Sequence, residues 1–113
     1  MEDCVFCKIV KGEIPTTKVY EDDLVLAMED IDPIAPVHTL VIPKEHINSF
    51  KELNNPELEH ALNNAIKEVA KIKNLDDAGF RVITNIGEDG GQAVKHLHFH
   101  VLGGRKMMTR ESC

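Results

Sequence analysis

The chain has 113 residues, which predicts a single domain over 1–113, and its 42% hydrophobic content supplies a core that four Phe, one Tyr and no Trp leave mainly to aliphatic side chains. A formal net charge of −6 without any Lys/Arg cluster argues against a nucleic-acid polymer as partner, while a local site can still capture a small phosphorylated ligand. No apolar run approaches the ~20 residues that span a bilayer, and the acidic start Met1-Glu2-Asp3-Cys4 lacks a secretory pattern, so a soluble cytoplasmic protein off the membrane is expected.

In chain order, Val5, Phe6, Ile9 and Val10 predict one helical turn or a tucked arm. Thr16 to Glu21 and Leu24 to Asp30 read as two strands around a turn at Asp22-Asp23. Pro33 and Pro36 break the chain, and Thr39-Leu40-Val41-Ile42 forms a third strand closed by Pro43. Asn55 suits an N-cap and Pro56 the first position of a helix that runs to about Lys73. Leu58, Leu62, Ala65, Ile66, Val69 and Ile72 give that helix one apolar stripe, which needs a sheet to cover. Phe80 to Asn85 supplies a fourth strand, and His96 to Leu102 a fifth. The segregation of strands from helix predicts an α+β fold: a five-stranded antiparallel sheet, one long helix and a short N-terminal helix.

The fifth strand carries the chemistry. His96, His98 and His100 alternate with Leu97, Phe99 and Val101, so the period of two sends all three imidazoles to one side. Neighbouring imidazoles then stand roughly 6.5–7 Å apart, a gap that a phosphoryl group or a metal ion could bridge. Spacing alone leaves two chemistries open, metal ligation and nucleophilic phosphoryl or nucleotidyl transfer. The loop Gly90-Gly91-Gln92-Ala93 tips the balance toward phosphate, since its backbone N–H groups can approach phosphate oxygens. Taken alone, a Gly-Gly loop is more often a plain turn. Cys4-Val5-Phe6-Cys7 is a C-x2-C pair: half of a zinc site, a redox pair or chance. Its place at the extreme N-terminus disfavours the redox reading, and a zinc site would draw two further ligands from histidines. Asp30 and Asp32 either bracket a turn or offer a carboxylate to a ribose diol. His38 gains interest only if it meets the triad, and His60, off the apolar stripe, is expected in solvent.

His96 to Leu102 resembles the signature of the histidine triad (HIT) family. The similarity extends over nearly the whole chain: Phe6-x-Lys8-Ile9 with Glu13-Ile14-Pro15, then Tyr20-Glu21-Asp22-Asp23, Asp30-Ile31-x-Pro33-x-Ala35-Pro36, His38-x-Leu40-Val41-Ile42-Pro43-Lys44-x-His46, and Asn85 with Gly90-Gly91-Gln92. The branch it resembles most is the Hint-like purine nucleoside phosphoramidases. That resemblance implies a homodimer with a purine nucleoside monophosphate site in each protomer and a hydrolase acting on 5′-phosphoramidates. It implies that His98 attacks phosphorus, that His100 contacts the phosphoryl oxygens and assists the leaving group, and that His96 and His38 orient the nucleophile. Asp30 would bind ribose. Phe6, Ile9, Ile31 and Leu40 would form the base pocket with Val5 at its edge, and Asn85, Gly91, Gln92 and Ala93 the phosphate side.

Some bacterial relatives pair such cysteines with two histidines around a structural zinc, which implies Cys4, Cys7, His46 and His96 here. Two departures stand out. Ala93 replaces a serine common in eukaryotic members, and the tail from Met107 to Cys113 lacks their Trp-Pro ending. Within the resemblance, the alternatives are a dinucleoside polyphosphate hydrolase and a non-catalytic nucleotide-binding regulatory protein. A zinc hydrolase using the triad as ligands is a third.

Overall fold

Asp22 makes the first turn. Its Oδ1 accepts the N–H groups of Leu24 and Val25, which folds strand β1 (Lys18–Glu21) back onto β2 (Val25–Glu29). The computed structural model describes residues 3–108; Cys113 and the tail from 109 lie outside the described residues. β3 (Val37–Pro43) pairs with β2 along its length, and β5 (Phe99–Gly103) pairs with β3 on its other side. β4 (Arg81–Ile83) closes the far edge, giving the order β1-β2-β3-β5-β4 with every pair antiparallel. A six-residue helix α1 (Val5–Val10) precedes the sheet, and α2 (Pro56–Ile72) crosses one of its faces. This is the α+β class expected, with the long and the short helix where the sequence puts them.

The elements follow from their residues. Asn55 caps α2, its Oδ1 accepting from Glu57 and Leu58, and Pro56 occupies the first helical position. Leu58, Leu62, Ala65 and Val69 are buried against Val25, Ala27, Val41 and Val101 of the sheet and Leu97 just before β5. The stripe ends sooner than its periodicity suggests. Ile72, in the last turn, is 50% exposed, while Ala70 turns inward. On the opposite face Phe6 packs with Leu26, Met28, Leu40 and Ile42, which docks α1 on the sheet.

The strand boundaries correct the expectation at both edges. The ladder of β5 begins at Phe99, not at His96. Pro43 opposite has no N–H to give, its carbonyl is taken by the His96 ring, and Leu97 donates instead to Ile47. β4 is likewise only Arg81–Ile83, because Thr84 reaches the His98 carbonyl through its side-chain hydroxyl. Alternation survives without the ladder: Leu97, Phe99 and Val101 face α2, and the histidines face the Phe6 side.

Candidate active site

The triad divides into two sites that share one segment. His98 and His100 line an apolar cavity of about 340 Å³, whereas the His96 ring turns to the cysteines. Rings 98 and 100 stand with centroids 5.0 Å apart, and the Phe6 ring meets both His96 and His98 edge-on. The direct span is therefore shorter than strand rise alone suggests. The single metal centre built from the whole triad, one of the expected alternatives, has no counterpart in this arrangement.

Hydrogen-bond partners assign each ring its tautomer. His98 Nδ1 lies 2.7 Å from the His96 carbonyl and must donate to it, which leaves Nε2 with a free lone pair. The Ile34 N–H donates to His38 Nδ1, so His38 carries its proton on Nε2. That proton faces His100 Nδ1 at 2.9 Å and Asp30 Oδ2 at 3.3 Å. His100 accepts on Nδ1 and therefore presents Nε2–H. A lone pair on one imidazole and a proton on the next is the pairing that nucleophilic displacement with a protonated leaving group needs. Burial pushes the His100 pKa down to about 4, aided by positive charge that would appear on His98 and His38. Burial also lowers His38, against the pull of Asp30. The Asp30, His38 and His100 cluster is a hydrogen-bond relay rather than a metal site. To ligate through Nε2, His38 would need its proton on Nδ1, where it accepts the Ile34 N–H.

Asp30 directly follows β2, its Oδ1 fixed by the Asp32 N–H and its other oxygen turned to His38 at the cavity. Asp32 is exposed and serves the turn. Phe6, Ile9, Ile31 and Leu40 line the same cavity, as does Val5. Met28, Ile14, Pro15 and Thr16 line it too; sequence reading missed them, because a methionine in a strand and a Pro-Thr arm carry no signal of a pocket wall. The glycine-rich loop closes the cavity through Ala93. Gly91 (φ 77°) and Gln92 donate their N–H groups within the loop, to Glu88 and Gly87. Among the described residues the Ala93 N–H, like that of Val94 beside it on the cavity wall, makes no hydrogen bond, so it is a donor available to an anion. The Asn85 amide donates to Gly90 and buttresses this turn. His60 is exposed on α2.

On the other side of Phe6, Cys4, Cys7, His46 and His96 place one ligand atom each within 4.8 Å of all the others. Cys4 Sγ lies 3.3 Å from His96 Nδ1, Cys7 Sγ 3.6 Å from it and 3.2 Å from His46 Nδ1. Edges of about 3.4–3.8 Å are those of a tetrahedron around zinc with ordinary Zn–N and Zn–S lengths. The protonation states suit a cation. His96 gives its Nε2 proton to the Pro43 carbonyl and His46 gives its own to Asn48 Oδ1, so both Nδ1 lone pairs are free. Burial keeps His96 neutral. It also pushes the Cys7 thiol up, aided by Cys4, and a bound cation would reverse that. Asn48 and the Pro43 carbonyl were not foreseen, since backbone and amide partners of a ligand leave no pattern in sequence.

Among the described residues no helix is long and apolar enough to cross a membrane. The HIT domain model matches residues 11–107. A HIT family hydrolase from Clostridium thermocellum is 48% identical and superimposes with a TM-score of 0.93 over 97% of this chain and 97% of that one. A histidine triad protein from Clostridium difficile is 51% identical, with a TM-score of 0.91 over 98% of each chain. Protein HitA of Neisseria gonorrhoeae is 43% identical over 106 residues, 91% of this chain and 97% of that protein. On the domain match, these identities and the shared fold, the chain belongs to the HIT family.

Proposed function

We propose that this protein is a Hint-like nucleotide hydrolase that cleaves the P–N bond of adenosine or guanosine 5′-phosphoramidates through a nucleotidyl-His98 intermediate. The observation that carries the reading is the His98 tautomer: Nδ1–H held by the His96 carbonyl, Nε2 free, on a ring that lines an apolar cavity beside Asp30. The base packs among Phe6, Ile9, Ile31 and Leu40, the ribose diol meets Asp30, and the phosphoryl oxygens meet the Ala93 N–H.

His98 Nε2 forms a bond to phosphorus as the P–N bond breaks. The departing nitrogen needs a proton. The anionic phosphoryl group, arriving beside His100, opposes the burial that keeps that ring neutral, so with substrate bound the ring takes a proton on Nδ1, the His38 Nε2–H turns to Asp30 Oδ2, and His100 donates from Nε2. Water then attacks phosphorus, returns a proton to His100 and frees His98 with the nucleoside monophosphate as product. Ring and backbone donors offset the negative charge that builds on the oxygens.

The fit of the Cys/His donor set supports a structural zinc held by Cys4, Cys7, His46 and His96. When bound, it would cross-link the N-terminal arm to the segment that carries the nucleophile. The reading further includes a homodimer, as the resemblance implies, and a cytoplasmic location.

Mass spectrometry after mixing with adenosine 5′-phosphoramidate tests the chemistry. An AMP adduct should form on His98 and vanish in His98→Ala. Normal turnover without any adduct overturns the covalent route, and faster turnover of dinucleoside polyphosphates than of phosphoramidates overturns the substrate class.

A further inference from the structure

Gln92 closes the glycine-rich loop, and its side-chain amide touches backbone alone. Oε1 accepts from the Gly87 N–H at 2.9 Å, and Nε2 donates to the carbonyls of Val94, at 2.9 Å, and Asn48. Both amide protons are thereby engaged. The first bond closes the loop on itself, and the second fixes the residue after Ala93. The third leaves the loop and reaches 44 positions back along the chain.

Asn48 is the place where the Cys/His centre reaches its outer partners. Its Oδ1 holds the His46 ring at 3.0 Å, while its main-chain carbonyl holds Gln92. Ala93 and Val94 form a wall between two cavities. On one side lies the cavity of His98 and His100, on the other a space of about 410 Å³ bounded by Cys4, His46, Asn48 and Lys95. Gly87 and Gly91 both sit at positive φ, and glycine at such positions gives the loop little stiffness of its own. A backbone N–H stabilises an anion well only when it is held in place beforehand.

We propose that Gln92 is a positioning residue that latches the glycine-rich loop onto Asn48 and so transmits the order of the Cys4–Cys7–His46–His96 centre to the phosphate side of the nucleotide cavity. It contacts no substrate itself. Metal binding orders His46, His46 orders Asn48, and Gln92 couples Asn48 to the loop that presents Ala93. The inference rests on the nucleotide and zinc readings above, and its test separates the three.

AMP binding is measured by calorimetry on zinc-loaded and chelator-stripped protein, with amide hydrogen exchange across residues 85–95 as a second readout. Gln92→Met keeps the side-chain length and loses both polar ends. Gln92→Glu keeps the acceptor for Gly87 and loses the donors, which gives a second variant if the first folds poorly. In loaded protein either change should weaken AMP on the order of tenfold, the effect of one displaced charge-assisted hydrogen bond, and accelerate loop exchange. Turnover of adenosine 5′-phosphoramidate should show kcat/KM lowered on the order of tenfold, with part of the loss in kcat, since the Ala93 N–H serves the charge that builds during displacement as well as the bound nucleotide. Stripping zinc from the wild type should weaken AMP and accelerate exchange across residues 85–95; stripping it from Gln92→Met should leave the exchange of that loop as it is, any further loss of AMP affinity coming from Val5, Phe6 and Ile9 of the N-terminal arm. No AMP binding by the wild type overturns the nucleotide reading, and no zinc uptake overturns the metal reading. AMP binding by the wild type with unchanged affinity in both variants overturns the role of Gln92. A weakened variant whose loop exchange across residues 85–95 responds to stripping as the wild type's does overturns its link to the metal centre.

Discussion

His100 shows how far a single buried ring can bias the molecule. Its pKa stands at about 4 in the folded protein against an ordinary 6.5, so the unfolded chain binds the proton more readily between those values. The stability that His100 permits is therefore complete above pH 6.5 and declines as pH falls toward 4, a loss of about 3 kcal/mol from this ring. His38 and His96 are displaced in the same direction and add to the slope. Urea unfolding at pH 7 and pH 4.5, with chelator present, should show His100→Gln losing less stability than the wild type; equal losses contradict a neutral buried His100. At this scale the catalytic candidates were legible, because alternation of His with large apolar residues fixes a face whether or not the ladder forms. From the residues alone the Cys/His donor set was legible as half a site, the C-x2-C pair of Cys4 and Cys7; the resemblance supplied His46 and His96, which join them only through the fold. Gln92 read as part of a phosphate loop, and the direction of its amide, away from the cavity and onto backbone, lies outside what spacing can express.

Among the elements, α2 was read almost to its ends, because a cap, a proline and a stripe agree with one another. The Asn55 cap should be measurable: Asn55→Ala costs about 1 kcal/mol, a fall of about 4 °C in the thermal midpoint by calorimetry. The glycine-rich loop is less forgiving. A Cβ on Gly90 would sit 2.3 Å from the Ile86 carbonyl oxygen, so Gly90→Ala must move backbone and not merely a side chain. We expect that variant to lower AMP affinity on the order of tenfold by equilibrium binding while destabilising the fold by only about 1–3 kcal/mol. An unchanged AMP affinity would show that the loop does not shape the phosphate side. The strand limits were harder to read. β4 and β5 shorten because Thr84, Pro43 and the His96 ring answer backbone groups that a ladder would otherwise pair. Such substitutions of side chain for backbone are tertiary events.

Across the whole molecule the sheet partitions its two tasks. One face carries α2 and most of the apolar core, and the other carries α1, the cavity and the Cys/His centre. The second face is thinly covered, since α1 has six residues and docks largely through Phe6 and Cys7. A metal tying residues 4 and 7 to 46 and 96 would therefore secure the arm. Chelation should lower the thermal midpoint and, in limited proteolysis, expose cleavage ahead of β1 before any cut in α2. Equal protection of both regions after chelation would argue against that role. The partition also limits how the gene can change. Removing a single codon between His96 and Leu102 would exchange the two sets of alternating residues, driving imidazoles toward α2 and Leu97, Phe99 or Val101 into the cavity. This stretch can accept new side chains one at a time, but its length is fixed.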